Sequence, residues 1–156
     1  MRAGQPSQTA IATAAFRAAH RLHHRPIVFD DTLARDLTSA EWRAQLDAGS
    51  VPGMVEQLGL MRILGQLVGR ARFVDEALAA AMAEVDVAQY VLLGAGLDSF
   101  AWRRPDLSAR LRVIELDHPD TQTYKRERLR ELGLETGAHV ELVPVDFERE
   151  TLEDAL

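Results

Sequence analysis

The 156-residue sequence contains no cysteine. That absence excludes disulfides, thiolate zinc ligation and a cysteine nucleophile. Positive charge is also scarce: 18 Lys and Arg stand against 24 Asp and Glu, a formal net charge of −6. A chain that binds nucleic-acid backbone needs a cationic footprint, so no nucleic-acid partner is expected. No run approaches 18 uninterrupted apolar residues, and no membrane association through a spanning helix is expected. Met1 to Gln8 has no apolar h-region, and the apolar stretch from Thr9 to Phe16 stops at Arg17 without a small-residue cleavage site. These features predict no signal peptide and a cytoplasmic location.

The residues that are present suit a globular chain: 47% are hydrophobic and 27% charged. A chain of this length can form one ordinary domain that buries roughly two-thirds of its unfolded surface. Residues 1–86 read as a helical N-terminal region. Ile11, Ala14, Ala15, Ala18 and Leu22 recur near a 3.6-residue period and predict an amphipathic helix, broken by His23, His24, Arg25 and Pro26. Thr38-Ser39-Ala40-Glu41 fits a capping box with Thr38 as the cap. The helix it opens should run through Asp47 and stop near Gly49, and Pro52 suits the first turn of the next helix. From Met54 to Val85, apolar residues including Leu58, Met61, Leu64, Val68, Phe73 and Met82 keep helical spacing, with a bend or break expected at Gly65 or Gly69.

Residues 87–156 change character. Tyr90 to Leu93, Leu111 to Asp117 and His139 to Asp146 are strand candidates. A helix is expected from Pro119 to Leu132, with proline suited to its start and Gly133 to its end. Strands alternating with helices imply a parallel sheet, so the fold class is α/β: a helical cap followed by about three strands of a Rossmann-like sheet.

Gly94-Ala95-Gly96 follows the first strand, and Asp117 ends the second, 21 residues after Gly96. Glycines let a backbone turn tightly and approach a ligand. An acidic residue at the end of the next strand accepts hydrogen bonds from ribose hydroxyls. Such a turn also occurs in plain strand-turn-helix units with a surface aspartate. Ser99 stands where a dinucleotide fingerprint has its third glycine, and Pro105 follows closely. Pyrophosphate binding needs exposed amides at a helix start, so a nucleoside without phosphates fits better than NAD. S-adenosylmethionine is the common one. Asp146 either accepts from an adenine amino group, with Phe147 against the ring, or caps the next helix; one residue could do both.

Val91 to Ser99 with Trp102-Arg103 resembles the signature of the leucine carboxyl methyltransferase-like family. So does Val113-Ile114-Glu115-Leu116-Asp117-His118-Pro119 with Lys125 downstream. Arg17-Ala18-Ala19, Asp30 to Ala34 and Arg70 to Asp75 add to the resemblance. It implies an S-adenosylmethionine-dependent methyltransferase with a small-molecule acceptor. Gly94 and Gly96 would pass close to the methionyl part, Asp117 would hold the ribose in preference to Glu115, and Asp146 and Phe147 would meet the adenine. Arg17 and Arg70 match basic residues that would bind the cofactor carboxylate, with Arg72 a substitute for Arg70. A buried carboxylate calls for such charge-assisted donors. Without the resemblance, each arginine reads as part of a solvated helix face.

Asp98 reads as shaping the turn, and His118 as sitting at a helix start. His20, His23 and His24 lack partners at metal-ligand spacing, so no metal site is assigned. Phe100 and Ala71 depart from the residues common in the family. No catalytic residue is assigned. Members of the family continue through further strands, so the sequence is read as the N-terminal portion of such an enzyme, ending inside a helix that starts near Glu148. Three strands would leave an open sheet edge through which the chain could self-associate. Two other readings are a non-catalytic truncated remnant and a fragment of an NAD-dependent oxidoreductase.

Overall fold

A computed structural model describes residues 4–155. The chain divides into two compact units, one of Ile11–Asp86 and the other of Met1–Ala10 with Val87–Leu156.

The helical unit begins within α1 (Gln8–His23), which buries Ile11, Ala14, Ala15 and Ala18 as its periodicity predicts but leaves Leu22, the last residue of that stripe, exposed. Phe16 and Ala18 from this helix join Leu46, Val51, Val55, Leu64 and Val68 in one core, where Phe16 meets Trp42 edge-on at 6.0 Å. Asp31 holds the start of α2 (Ala34–Leu37), its Oδ1 accepting the Leu33 and Ala34 amides. The next helix, α3 (Ala40–Asp47), is capped by Ser39 and not by Thr38. The Ser39 hydroxyl accepts the Trp42 amide, whereas the buried Thr38 hydroxyl donates to the Ile11 carbonyl at 2.9 Å. That long-range bond removes Thr38 from capping, and Glu41 then falls too early in the helix to complete the reciprocal box.

Pro52 lies in the first turn of α4 (Val51–Gln57), as expected. The break before α5 (Met61–Glu84) falls at Gly59, where φ is +65°, and α5 runs unbroken through Gly65 and Gly69. The Leu60 amide closes the turn on the Val55 carbonyl. A glycine inside a helix costs only about 1 kcal/mol, whereas a positive φ ends it. The α5 stripe is narrower than its spacing suggests. Leu64, Val68 and Met82 are buried, but Met61 and Phe73 are exposed, as is Leu58 at the end of α4. Among the described residues, no helix is long and apolar enough to cross a membrane.

The second unit is a mixed α/β arrangement. In chain order it comprises β1 (Gln89–Leu93), α6 (Phe100–Arg103), α7 (Pro105–Ser108), β2 (Arg112–Asp117), α8 (Pro119–Glu131), β3 (Val140–Pro144) and α9 (Leu152–Ala155). The strands form one parallel sheet in the order β1-β2-β3. Central β2 buries Val113, Ile114, Glu115 and Leu116, the pattern of a strand covered on both faces. Val91 pairs with Ile114 and Leu93 with Leu116.

Helix α8 starts at Pro119 after a His118 cap and gives way to Gly133 at φ +67°. The last helix begins at Leu152, not near Glu148. Asp146 to Glu150 instead form a single turn, in which the Asp146 carbonyl accepts the Arg149 and Glu150 amides. The segment before α1 joins this unit through the Gly4 amide on Asp120 Oδ2 and the Ser7 amide on Thr121 Oγ1, at 2.9 and 3.1 Å.

Candidate cofactor-binding site

In an open parallel sheet, ligands bind beyond the carboxyl ends of the strands. Such a cavity, of about 470 Å³, lies there in the second unit. Gly94 comes from the end of β1, Asp117 and His118 from the end of β2, and Val145, Asp146 and Phe147 from the end of β3. Asp120, Glu148 and Arg149 complete the lining.

The glycine turn is built for close approach. Gly94 and Gly96 have φ of +63° and +56°, a region that L side chains rarely adopt. The Ala95 amide donates to the Leu116 carbonyl and fixes the turn against β2. Asp117 holds the same turn: its Oδ2 accepts the Gly96 amide at 2.6 Å and its Oδ1 the His118 amide at 2.7 Å. Each carboxylate oxygen can accept two hydrogen bonds, so both retain capacity for a ligand hydroxyl. Asp98 Oδ1 accepts the Phe100 amide at 2.7 Å, the turn-shaping position read from sequence. His118 Nδ1 accepts the Asp120 amide at the start of α8.

Asp146 does not cap a helix, since the next one begins at Leu152; it holds the single turn that follows β3. Its Oδ1 accepts the Glu148 amide, and its own amide donates to Glu150 Oε1. It also faces the cavity, beside a half-exposed Phe147. The cavity is strongly acidic: Asp117, Asp120, Asp146 and Glu148 are opposed by Arg149, whose Nε lies 3.6 Å from Asp146 Oδ2. A pyrophosphate would be repelled here, whereas the hydroxyls and amino group of a nucleoside would find acceptors.

Glu115 does not line this cavity. It is fully enclosed with Lys125, and burial pushes its carboxyl up to about 7, with Lys125 opposing and Asp98 and Asp117 adding to the rise. Gly96 touches the site through the hydrogen bond that its amide donates to Asp117 Oδ2. Arg17 and Arg70 belong to the helical unit. Arg17 is buried, with Nε 2.8 Å from Asp31 Oδ2. Arg70 is exposed on α5 in a cleft of about 450 Å³ with Ile63, Gln66 and Leu67. Arg72 pairs with Glu76 one turn along at 2.7 Å. Sequence reasoning missed Asp120 as a cavity residue. Its signal was present as the acid in the first turn of α8, directly after Pro119.

The chain matches the family model for leucine carboxyl methyltransferase over residues 10–156. It is 32% identical over 168 residues to the Bacillus subtilis strain 168 protein named "Putative S-adenosyl-L-methionine-dependent methyltransferase YktD". That match covers 94% of this chain and 54% of the relative. A Mycobacterium marinum protein of the same description is 34% identical over 158 residues, covering 94% of this chain and 48% of its own length. A Mycobacterium tuberculosis H37Ra protein, also so described, is 34% identical over 156 residues, covering 95% and 49%. The chain spans about half the length of the curated relatives it matches. With the family model matched over nearly its whole length, the chain belongs to the leucine carboxyl methyltransferase family.

Proposed function

We propose that this chain binds S-adenosyl-L-methionine and serves methyl transfer to an oxygen, a carboxylate or hydroxyl, of a small-molecule acceptor. One observation carries the reading: the cavity at the strand ends gathers the glycine turn, Asp117, Asp146 and Phe147, which are widely spaced in sequence. Asp117 would accept from ribose hydroxyls: its oxygens keep lone pairs beyond their hydrogen bonds from the Gly96 and His118 amides, which supports this reading. Asp146 offers a carboxylate to an adenine amino group, and Phe147 an apolar face to the ring. The names of the relatives support the cofactor assignment. Assignment of Arg17 and Arg70 to the cofactor carboxylate belongs to the same proposal and rests on the family resemblance.

The bound cofactor supplies an electrophilic methyl group on a sulfonium. The protein's part is to orient it, align the acceptor oxygen in line and exclude water. The glycine turn and the Asp117 carboxylate would perform the first of these. A carboxylate acceptor, with an ordinary pKa of about 3.5, is already ionised at neutral pH and needs no base. A hydroxyl acceptor would call for one.

The test is calorimetric titration of the chain with S-adenosylhomocysteine, with NAD as control. Saturable binding that weakens at least tenfold in Asp117→Ala is expected, with no NAD binding. A folded chain that ignores S-adenosylhomocysteine, or binds NAD equally well, would overturn the proposal.

A further inference from the structure

We infer that Lys125 is a positioning residue for the cofactor cavity: buried behind the glycine turn, it holds β2 and α6 in the arrangement that lets Asp117 grip the Gly96 amide. Its consequence for ligand affinity rests on the cofactor reading above; its consequence for the turn does not.

Lys125 lies on α8, and its side chain has no exposed surface. A lysine ammonium is among the groups least often buried, and it is tolerated only when paired. Its ammonium bonds Glu115, whose side chain is equally enclosed. Glu115 stands two residues before Asp117, so the two carboxylates share one side of β2. One turn before Lys125, Gln122 Nε2 donates to the Glu115 carbonyl at 3.0 Å. Helix α8 is thus tied twice to the residue that precedes the ligand-facing end of β2.

The ammonium has a second partner, the Trp102 ring, 5.1 Å away. Trp102 lies on α6, directly after the glycine turn, and its indole nitrogen donates to the Glu135 carbonyl at 3.0 Å. Lys125 therefore contacts both arms of the structure that the Asp117–Gly96 bond closes. One arm is β2, which carries Asp117; the other is α6, which follows Gly96.

Charge gives the tie its direction. The groups that bear on Glu115 are Lys125, Asp98 and Asp117, so one cation opposes three carboxylates. Asp98 is held at the start of α6 by its bond to the Phe100 amide, and Asp117 at the end of β2 by its bonds to Gly96 and His118. Without the ammonium, Glu115 is a buried carboxyl with no cation beside it, and it sheds its charge by holding its proton. The ties of the ammonium to β2 and α6 are then lost, and the two arms are free to shift apart, which opens the Asp117 bond to the Gly96 amide. None of this requires Lys125 to touch the ligand, and it does not line the cavity.

Amide hydrogen exchange by NMR on the full chain, together with S-adenosylhomocysteine titration, tests the inference. In Lys125→Met, protection of the Gly96 and His118 amides should fall at least tenfold relative to Ile114 in the centre of β2. Ligand affinity should fall at least tenfold with it. Leu129→Val trims a buried residue one turn further along α8, and it should lower all these amides together without a selective loss at Gly96. Should Lys125→Met fail to fold, Glu115→Gln/Lys125→Met removes both charges, and the same selective loss is expected because the ties of the ammonium to β2 and α6 are gone while the Gln122 bond to the Glu115 carbonyl remains. Gly96 protection within twofold of wild type in the folded variant would overturn the inference. So would an equal selective loss in Leu129→Val. If Gly96 protection falls selectively but the wild-type chain binds no S-adenosylhomocysteine, the positioning role stands and the cofactor reading fails.

Discussion

Replacing Gly96 by alanine tests the glycine turn with an internal control. Gly96 and Gly94 have nearly the same backbone, at φ +56° and +63°, so alanine at either meets the same conformational penalty. For an L-residue in the left-handed region that is roughly 1–2 kcal/mol. The surroundings differ. A Cβ added at Gly94 meets nothing within 4 Å, whereas one at Gly96 falls 3.2 Å from the Ala10 Cβ and 3.7 Å from its Cα. Carbon atoms pack best at about 3.5–4.0 Å, and overpacking of a tight contact costs about 1–3 kcal/mol. Gly94→Ala should therefore destabilise by about 1–2 kcal/mol, and Gly96→Ala by at least about 1 kcal/mol more. Urea denaturation reads the difference as a shift in midpoint at constant slope. For a chain of this size each 1 kcal/mol also lowers Tm by roughly 2–4 °C. Ala10→Gly, which removes the obstructing methyl, should recover the excess in the Gly96→Ala background and not in the Gly94→Ala background. The reasoning is refuted if Gly96→Ala is no more destabilising than Gly94→Ala, or if the recovery is the same in both.

Three further outcomes are expected. The Glu115 carboxyl holds its proton more tightly when folded, at about 7 against an ordinary 4.5, so the folded chain binds more protons between those values. Its contribution to stability therefore falls as pH rises from about 4.5 to about 7 and is level outside that window, with a span on the order of 3 kcal/mol. Denaturation midpoints of wild type minus Glu115→Gln/Lys125→Met, measured from pH 4 to 8, should show that decline; a flat difference would contradict the burial argument. Asp146→Ser keeps an oxygen to accept the Glu148 amide in the turn but loses the carboxylate. It should stay within about 0.5 kcal/mol of wild-type stability while S-adenosylhomocysteine binding weakens several-fold. Unchanged affinity would leave Asp146 a turn residue alone. Ser39→Ala should destabilise by about 0.5–1 kcal/mol in thermal melts, at the low end for a lost N-cap because the bond to the Trp42 amide is 3.4 Å long. A neutral Ser39→Ala would contradict the placement of the cap.

What the sequence determined by itself is what neighbouring residues specify. The apolar period of α1, Pro119 at the start of α8 and Gly133 beyond its end are short-range signals, and each element formed within a residue or two of its expected span. The alternation of strands with helices set a parallel sheet, and that topology carries the turn after β1, the acid after β2 and Asp146 after β3 to one end. Gly94, Asp117, Asp146 and Phe147, four of the nine lining residues, were legible for that reason.

Tertiary structure alone decided matters that depend on partners distant in sequence. Thr38 could have capped α3, but it bonds a carbonyl 27 residues earlier and leaves the task to Ser39. Both candidate break points in α5 are continuous, because Gly59 takes the positive φ and the buried side chains Leu64 and Val68 hold the helix through Gly65 and Gly69. Asp120 reads locally as a first-turn charge, yet it lines the cavity and accepts the Gly4 amide from 116 residues away. Lys125 reads as one basic residue of a polar helix, and only its burial against Glu115 and Trp102 gives it a role. Periodicity and turn chemistry encode the backbone's local preferences. Which polar groups lose their water, and what replaces it, is settled only when remote segments pack.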